Sequence, residues 1–121
     1  MSESDPIQKT QQDGVTVVTL SSHFDSLYES MLAELAPLLN VADSIEPPRL
    51  VIDLASTQYF GSAFIGFVIS LSTRLNARPG GRLALANVAP FCRMAFETTK
   101  SDLLLDLFDS VDEAVAELAW K

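Results

Sequence analysis

Arg49-Leu50-Val51-Ile52-Asp53-Leu54, then Ala55-Ser56-Thr57-Gln58-Tyr59-Phe60-Gly61-Ser62, then the apolar run Ala63 to Leu75, decide the fold of this chain. Leu50, Val51, Ile52 and Leu54 form a short apolar run, β-branched at its centre, which suits a strand buried on both faces. After it, Phe64, Val68, Leu71 and Leu75 recur at helical spacing with Ile65 and Ile69 beside them, so a helix is expected to run to about Ala77. The turn between the two places Gly61 and Ser62 at a helix start. A hydroxyl there sits beyond the end of a strand and over unpaired helix N–H groups.

Toward the N-terminus, residues 1 to about 6 are polar and expected to fray. Ile7 to Gln12 and Val15 to Leu20 flank Asp13-Gly14, a strong turn signal, and read as a hairpin. Ser26 and Glu29 have capping-box spacing, so a first helix is expected from there to about Asn40 on the stripe Leu27, Met31, Leu35, Leu38 and Leu39. Pro37 should bend or shorten its last turn, and Val41 to Pro48 reads as a loop. Toward the C-terminus, Pro79-Gly80-Gly81 stops the second helix and Arg82 to Val88 reads as a buried strand. Pro90 opens a helix to about Thr98, and Leu103 to Phe108 supplies a last strand. Ser110 and Glu113 cap a final helix carrying Val111, Ala114, Val115 and Leu118.

The order is ββαβαβαβα. Strands separated by helices need crossover connections, which make parallel neighbours, so the expected class is α/β: one domain over residues 1–121, a mixed and largely parallel sheet, about four helices. In such sheets functional groups gather at the strand carboxyl ends, and Asp25, Asp53 and Ser62 all fall there.

Sixteen acidic residues against eight basic give a formal net charge of -8, which argues against a nucleic-acid footprint and for a basic protein partner. One cysteine, Cys92, and one histidine, His23, leave neither an internal disulfide nor a Cys/His metal cluster. No cofactor or metal is expected. No apolar run reaches membrane-spanning length, and the start Met-Ser-Glu-Ser-Asp-Pro lacks the basic and apolar regions of a secretory signal, so a cytoplasmic location is expected.

Ser62 has two readings. As a helix N-cap its hydroxyl would contribute about 1 kcal/mol and nothing more. As a phosphate acceptor it would gain from the helix dipole and the free N–H groups, and the new dianion would act on a partner by charge. A hydrolase triad of His23, Asp25 and Ser62 has the right residue types, but Tyr59-Phe60-Gly61-Ser62-Ala63-Phe64 lacks the small residues two before and two after the serine that a nucleophile elbow needs. Gly61 to Gly66 has the outer spacing of a phosphate loop, yet Phe67-Val68 stands where Lys-Ser/Thr would be. The helix after Ser62 is apolar around more than half its circumference. Either it is wedged between the sheet and another helix, or Phe67 and its flank cover a partner or a second copy of the chain.

Taken together these stretches resemble the STAS domain of bacterial anti-sigma factor antagonists, also found at the cytoplasmic end of sulfate transporters. The resemblance spans about residues 13–119. It rests on Leu20 to Phe24-Asp25, Leu50 to Leu54, Tyr59-Phe60-Gly61-Ser62, Gly80-Gly81-Arg82-Leu83, Asn87-Val88-Ala89-Pro90 and Asp109-Ser110-Val111-Asp112-Glu113-Ala114. In the antagonists the turn reads Asp-Ser-Ser-Gly-Leu/Ile-Gly, and its first serine is phosphorylated by a partner that is both kinase and anti-sigma factor. Ser62 occupies that position, and Ile65 and Gly66 match the last two residues of the turn. Gly61 replaces the acidic residue, Ala63 the second serine and Phe64 the glycine, while Thr98-Thr99-Lys100-Ser101 stands near a usual Gly-Leu.

The resemblance implies a non-enzymatic regulator that switches partners: a serine kinase/anti-sigma factor binds the unmodified domain, and phosphate on Ser62 weakens the complex. Asp25, Asp53, Gly61, Phe64 and Phe67 would surround the serine as the partner-binding surface, with Phe64 adding bulk to it. The rival expectation is a STAS scaffold or transporter-regulating module that works through its apolar helix face without phosphorylation.

Overall fold

The computed structural model describes residues 6–98 and 105–119, with Phe91 by its backbone alone. β1 (Ile7–Gln12) and β2 (Val15–Leu20) pair antiparallel, Gln12 opposite Val15, around Asp13 and Gly14. Both turn residues have positive φ, 51° and 80°, the geometry that matches the twist of two-residue hairpins and that Asp and Gly tolerate. β2 then lies parallel to β4 (Arg49–Asp53), β4 to β6 (Arg82–Ala86) and β6 to β7 (Asp106–Phe108), in the order β1-β2-β4-β6-β7. Crossovers run through α1 (Pro37–Ser44), α2 (Ser62–Asn76) and α3 (Pro90–Thr98), and α4 (Val111–Leu118) follows the last strand. The expected α/β class, order and mixed sheet are thus present.

Alternation along the strands divides the core. Val18, Leu20, Leu50, Ile52, Leu83 and Leu85 face the large cluster that holds Leu38 of α1 and Phe64, Val68, Leu71 and Leu75 of α2. Val15, Val17, Val51, Ala84 and Ala86 face the other way, onto Ala114, Val115 and Leu118 of α4. The alanines on that face let α4 approach closely. α2 packs on β6 and against α1 and the segment before it, so the wedge reading of its wide apolar surface holds. The turn after α2 depends on glycine twice over. Gly80 has φ 77°, and a Cβ on Gly81 would lie 1.7 Å from the Leu75 carbonyl oxygen.

The expected helix from Ser26 to Asn40 is not formed. Ser26–Leu27 is instead a short strand, β3, paired in parallel with β5 (Tyr59–Phe60) in a separate two-stranded sheet. The Asp25 carbonyl accepts from the Gln58 and Tyr59 amides (2.8 and 3.1 Å) and the Leu27 carbonyl from the Gly61 amide (3.1 Å). These tertiary bonds override the local capping signal. A 3-10 stretch, Glu29–Leu35, comes next, and Pro37 opens α1 at its first turn rather than ending a helix, since the missing N–H is no loss there. Helix also replaces the first half of the expected 41–48 loop. The stripe is buried regardless of its altered backbone: Leu27, Leu35 and Leu38 are buried in the large cluster, and Met31 and Leu39 pack against it. At the far end, Ser110 caps α4 as expected, its Oγ accepting from the Glu113 amide at 3.1 Å. The expected fraying of residues 1–6 lies outside the described residues except at Pro6, as do residues 103–104 of the expected last strand.

Candidate functional site

Two arms rise from the carboxyl ends of the parallel strands. The first leaves β4, crosses Thr57 and returns through β5 into α2. Thr57 is buried, and its Oγ1 donates to the Phe24 carbonyl (2.9 Å), which moors the loop to the short 3-10 turn Ser22–Phe24 after β2. The second arm leaves β6 at Asn87 and becomes α3. Phe96 of α3 lies against Phe60 of β5 with ring centroids 5.1 Å apart, and Phe60 in turn lies 5.0 Å from Phe64. The Cys92 thiol, 2% exposed, donates to the Gln58 carbonyl at 3.4 Å, and burial pushes its pKa up.

Between the arms is an open, mainly apolar groove of about 340 Å³ lined by Phe60, Gly61, Ser62, Ile65, Met94, Ala95 and Thr98. Ser62 is exposed on it and is the first residue of α2. The N-cap is Gly61, which makes no side-chain cap, so the N-cap reading of Ser62 is displaced by one position. Gly61 is extended (φ -93°, ψ 176°), and a Cβ there would meet nothing within 4 Å; neither backbone nor space demands glycine.

The structure separates the other expected surface residues. Asp25 is exposed beside the groove's first arm, which its carbonyl holds. Asp53 is half-buried at the foot of the arms, where one carboxylate oxygen accepts from the Ala55 amide and from Asn87 Nδ2, each at 3.0 Å. Phe64 is 1% exposed: its bulk, expected at the surface, fills the core between Phe60 and Phe67 because its position on α2 faces the sheet. Phe67 is half-buried on a different flank of α2, in a depression shared with Leu39, Ile69, Ser70, Thr73 and Arg74. His23 Nε2 lies 2.7 Å from Glu34 Oε1, so the imidazole of the rival triad is engaged by a glutamate of the 3-10 stretch. Among the described residues no group of three or more His, Cys, Asp or Glu could hold a metal ion, and no helix is long and apolar enough to cross a membrane.

Sequence reasoning missed the aromatic and thioether groups of this end. Among the described residues, the large apolar or aromatic side chains left exposed are Met94 (60%), Tyr28 (56%) and Tyr59 (38%). Met94 lines the groove with Ser62. Tyr28 stands one residue beyond the Leu27–Phe60 pair, opposite Gly61, and its ring lies 5.5 Å from that of Tyr59. Two-residue strands carry no periodic signal, so nothing in the sequence paired these tyrosines. A larger concavity of about 710 Å³, lined by Glu46, Pro47, Pro48, Ala77, Arg78 and Pro79, lies at the opposite end of the sheet from Ser62.

A family model described as STAS domain matches residues 6–114. Among solved structures, an anti-sigma-factor antagonist (STAS) domain protein from Planctomyces limnophilus is 28% identical, with TM-score 0.85, covering 94% of this chain and 98% of that one. The Bacillus cell fate determinant SpoIIAA in its phosphorylated form is 17% identical, with TM-score 0.64, covering 93% and 98%. The murine Solute Carrier 26 family member A9 anion transporter is 15% identical, with TM-score 0.71, covering 90% of this chain and 18% of the transporter. The last two show a shared fold. Among curated protein sequences nothing matches.

Proposed function

The chain belongs to the STAS domain family, and from that premise we propose that it is a regulatory protein-binding module of the anti-sigma factor antagonist kind. Its unmodified Ser62 end binds a basic protein that is both serine kinase and anti-sigma factor, and phosphate on Ser62 weakens that complex. The module works in the cytoplasm by binding, without catalysis or cofactor. The observation that carries this reading is that Met94, the most exposed large apolar side chain among the described residues, lines one groove with the exposed Ser62 hydroxyl, while the exposed Tyr28–Tyr59 pair stands at the adjoining β3–β5 ladder. Tyrosine and methionine are enriched in protein interfaces, tyrosine supplying rigid contact area at low entropic cost and methionine a surface that adapts to its partner.

A phosphate on Ser62 would sit at the positive end of α2, so the modified domain itself is tolerated. Among the described residues the groove lining contains no lysine or arginine, so there the dianion would face the partner. Against the apolar lining of the groove the dianion would have to shed its hydration without a matched cation, a cost that opposes the partner's general basic attraction and weakens the complex. The relative of the same fold in phosphorylated form supports the chemistry as one this fold accommodates. Incubating the purified protein with its cognate kinase and ATP, then mapping phosphate by mass spectrometry, should place it on Ser62. Phosphate elsewhere, with Ser62 unmodified, would overturn the assignment.

One observation favours a second reading. Gly61 supplies no acidic side chain beside Ser62, which suits docking through the same exposed residues without phosphorylation. Ser62→Ala and Ser62→Asp separate the two: equal partner affinity for both variants and wild type selects the second.

A further inference from the structure

We propose that Asp53 and Asn87 form a latch that fixes the two arms of the groove relative to one another, making both of them positioning residues for Ser62 rather than partner contacts. The inference rests on the Ser62 reading above and adds how that site is held in shape.

The geometry is specific. Asp53 ends β4 and pairs in register with Ala86, the last residue of β6. One more backbone bond follows, from the Leu54 amide to the Ala86 carbonyl (2.9 Å), and beyond it the Asp53 carboxylate carries the link between the arms. One oxygen accepts the Ala55 amide, turning the first arm, and the Asn87 side-chain amide, which begins the second. Asn87 holds φ 60°, a left-handed conformation that asparagine adopts more readily than most residues, and its own amide donates to the Phe108 carbonyl. From this junction the first arm leads to Gly61 and Ser62 and the second to Met94, Ala95 and Thr98, the opposing lining of the groove. Other ties between the arms include the thiol hydrogen bond from Cys92 and the Phe60–Phe96 contact, neither of which fixes direction as a charge-assisted hydrogen bond does.

The test uses hydrogen exchange read over three segments: residues 58–66, residues 88–98, and the β1–β2 hairpin as control. Asn87→Gly permits the left-handed backbone and removes the side-chain donor, and Asn87→Asp, which retains the Cβ, separates that loss from added backbone freedom. Asn87→Gly should raise exchange roughly tenfold in both arms and leave the hairpin unchanged, in line with losing a hydrogen bond to a charged group. Asn87→Asp, which sets two carboxylates against each other, should do at least as much. The double variant Asp53→Asn/Asn87→Asp exchanges donor and acceptor across the arms; because the same Asp53 oxygen also accepts from Ala55, it should recover part of the loss and bring both arms below the rate of either Asn87 single variant.

If only residues 54–57 respond, or if the double variant is no better than the singles, the latch is overturned. A second arm measures phosphorylation of Ser62 by the cognate kinase, where Asn87→Gly should lower kcat/KM and the double variant recover part of the loss. Wild-type kinetics in Asn87→Gly despite faster exchange would refute the positioning role. Exchange as expected with no phosphate on Ser62 in any variant, wild type included, would support the latch and defeat the switch reading instead.

Discussion

Gly66 lies inside α2 one turn after Ser62 and on the same face, exposed, and a Cβ built on it meets nothing within 4 Å. A glycine in an exposed helix interior costs about 1 kcal/mol relative to alanine, through backbone entropy lost on folding. Gly66→Ala should therefore raise the unfolding free energy by about 1 kcal/mol. That corresponds to a rise in Tm of about 3–5 °C for a chain of this size. Urea denaturation with an unchanged m-value is the appropriate assay, since an altered slope would indicate a different unfolded ensemble. The same added methyl stands one turn from Ser62, on the face where the proposed partner would approach, so under that proposal the stabilised variant should bind it more weakly. The two readouts fail independently. A loss of stability would mean that the helix interior is not open at Gly66. A gain in stability with undiminished partner affinity would mean that this face of α2 is not contacted, and would count against the proposed surface.

Phe64→Ala should lose about 3–5 kcal/mol in the same denaturation experiment, because it removes a buried ring packed between two others; a loss under about 1 kcal/mol would return Phe64 to the surface. Gly81→Ala should cost more than Gly80→Ala, measured as a shift in urea midpoint. The first forces a methyl into the Leu75 carbonyl, while the second meets backbone strain of about 1 kcal/mol at φ 77°. The Cys92 thiol should resist a thiol-specific reagent until the chain unfolds. Because its folded pKa is raised, the unfolded chain ionises first. Stability is then full below the ordinary thiol value, about 8.5, and falls as pH rises through the folded value; a Cys92→Ala variant should lack this alkaline component.

Much of the architecture was legible because it rests on long, strongly patterned stretches. The short apolar run of Leu50, Val51, Ile52 and Leu54, the helical stripe from Phe64 to Leu75 and the Asp13-Gly14 turn each specify their element by burial or backbone geometry alone. The Ser26/Glu29 pair misled because a capping box is a local signal worth about 1 kcal/mol, which the three backbone bonds joining residues 25–27 to 58–61 outweigh. Pro37 was ambiguous for the same reason: the residue that ends one helix can begin another. At the site, Ser62 was legible from its place between strand and helix. Its surroundings were not, because Met94 reaches the groove from a different crossover and Tyr28 meets Tyr59 only through the two-residue strand before it, and neither leaves a periodic trace. Asp53 shows the converse limit. Sequence position put a carboxylate at a strand end, but only its bonds to Ala55 and Asn87 show that it is used inward.

Isothermal titration of the kinase/anti-sigma partner with unmodified and Ser62-phosphorylated protein tests the central proposal most directly. A phosphate that removes even one charge-assisted contact, or buries one unmatched charge, should weaken binding at least tenfold, about 1.4 kcal/mol. Met94→Glu should weaken it comparably without modification, since it puts charge into the same apolar groove. Equal affinity for the two forms of the protein would contradict the switch.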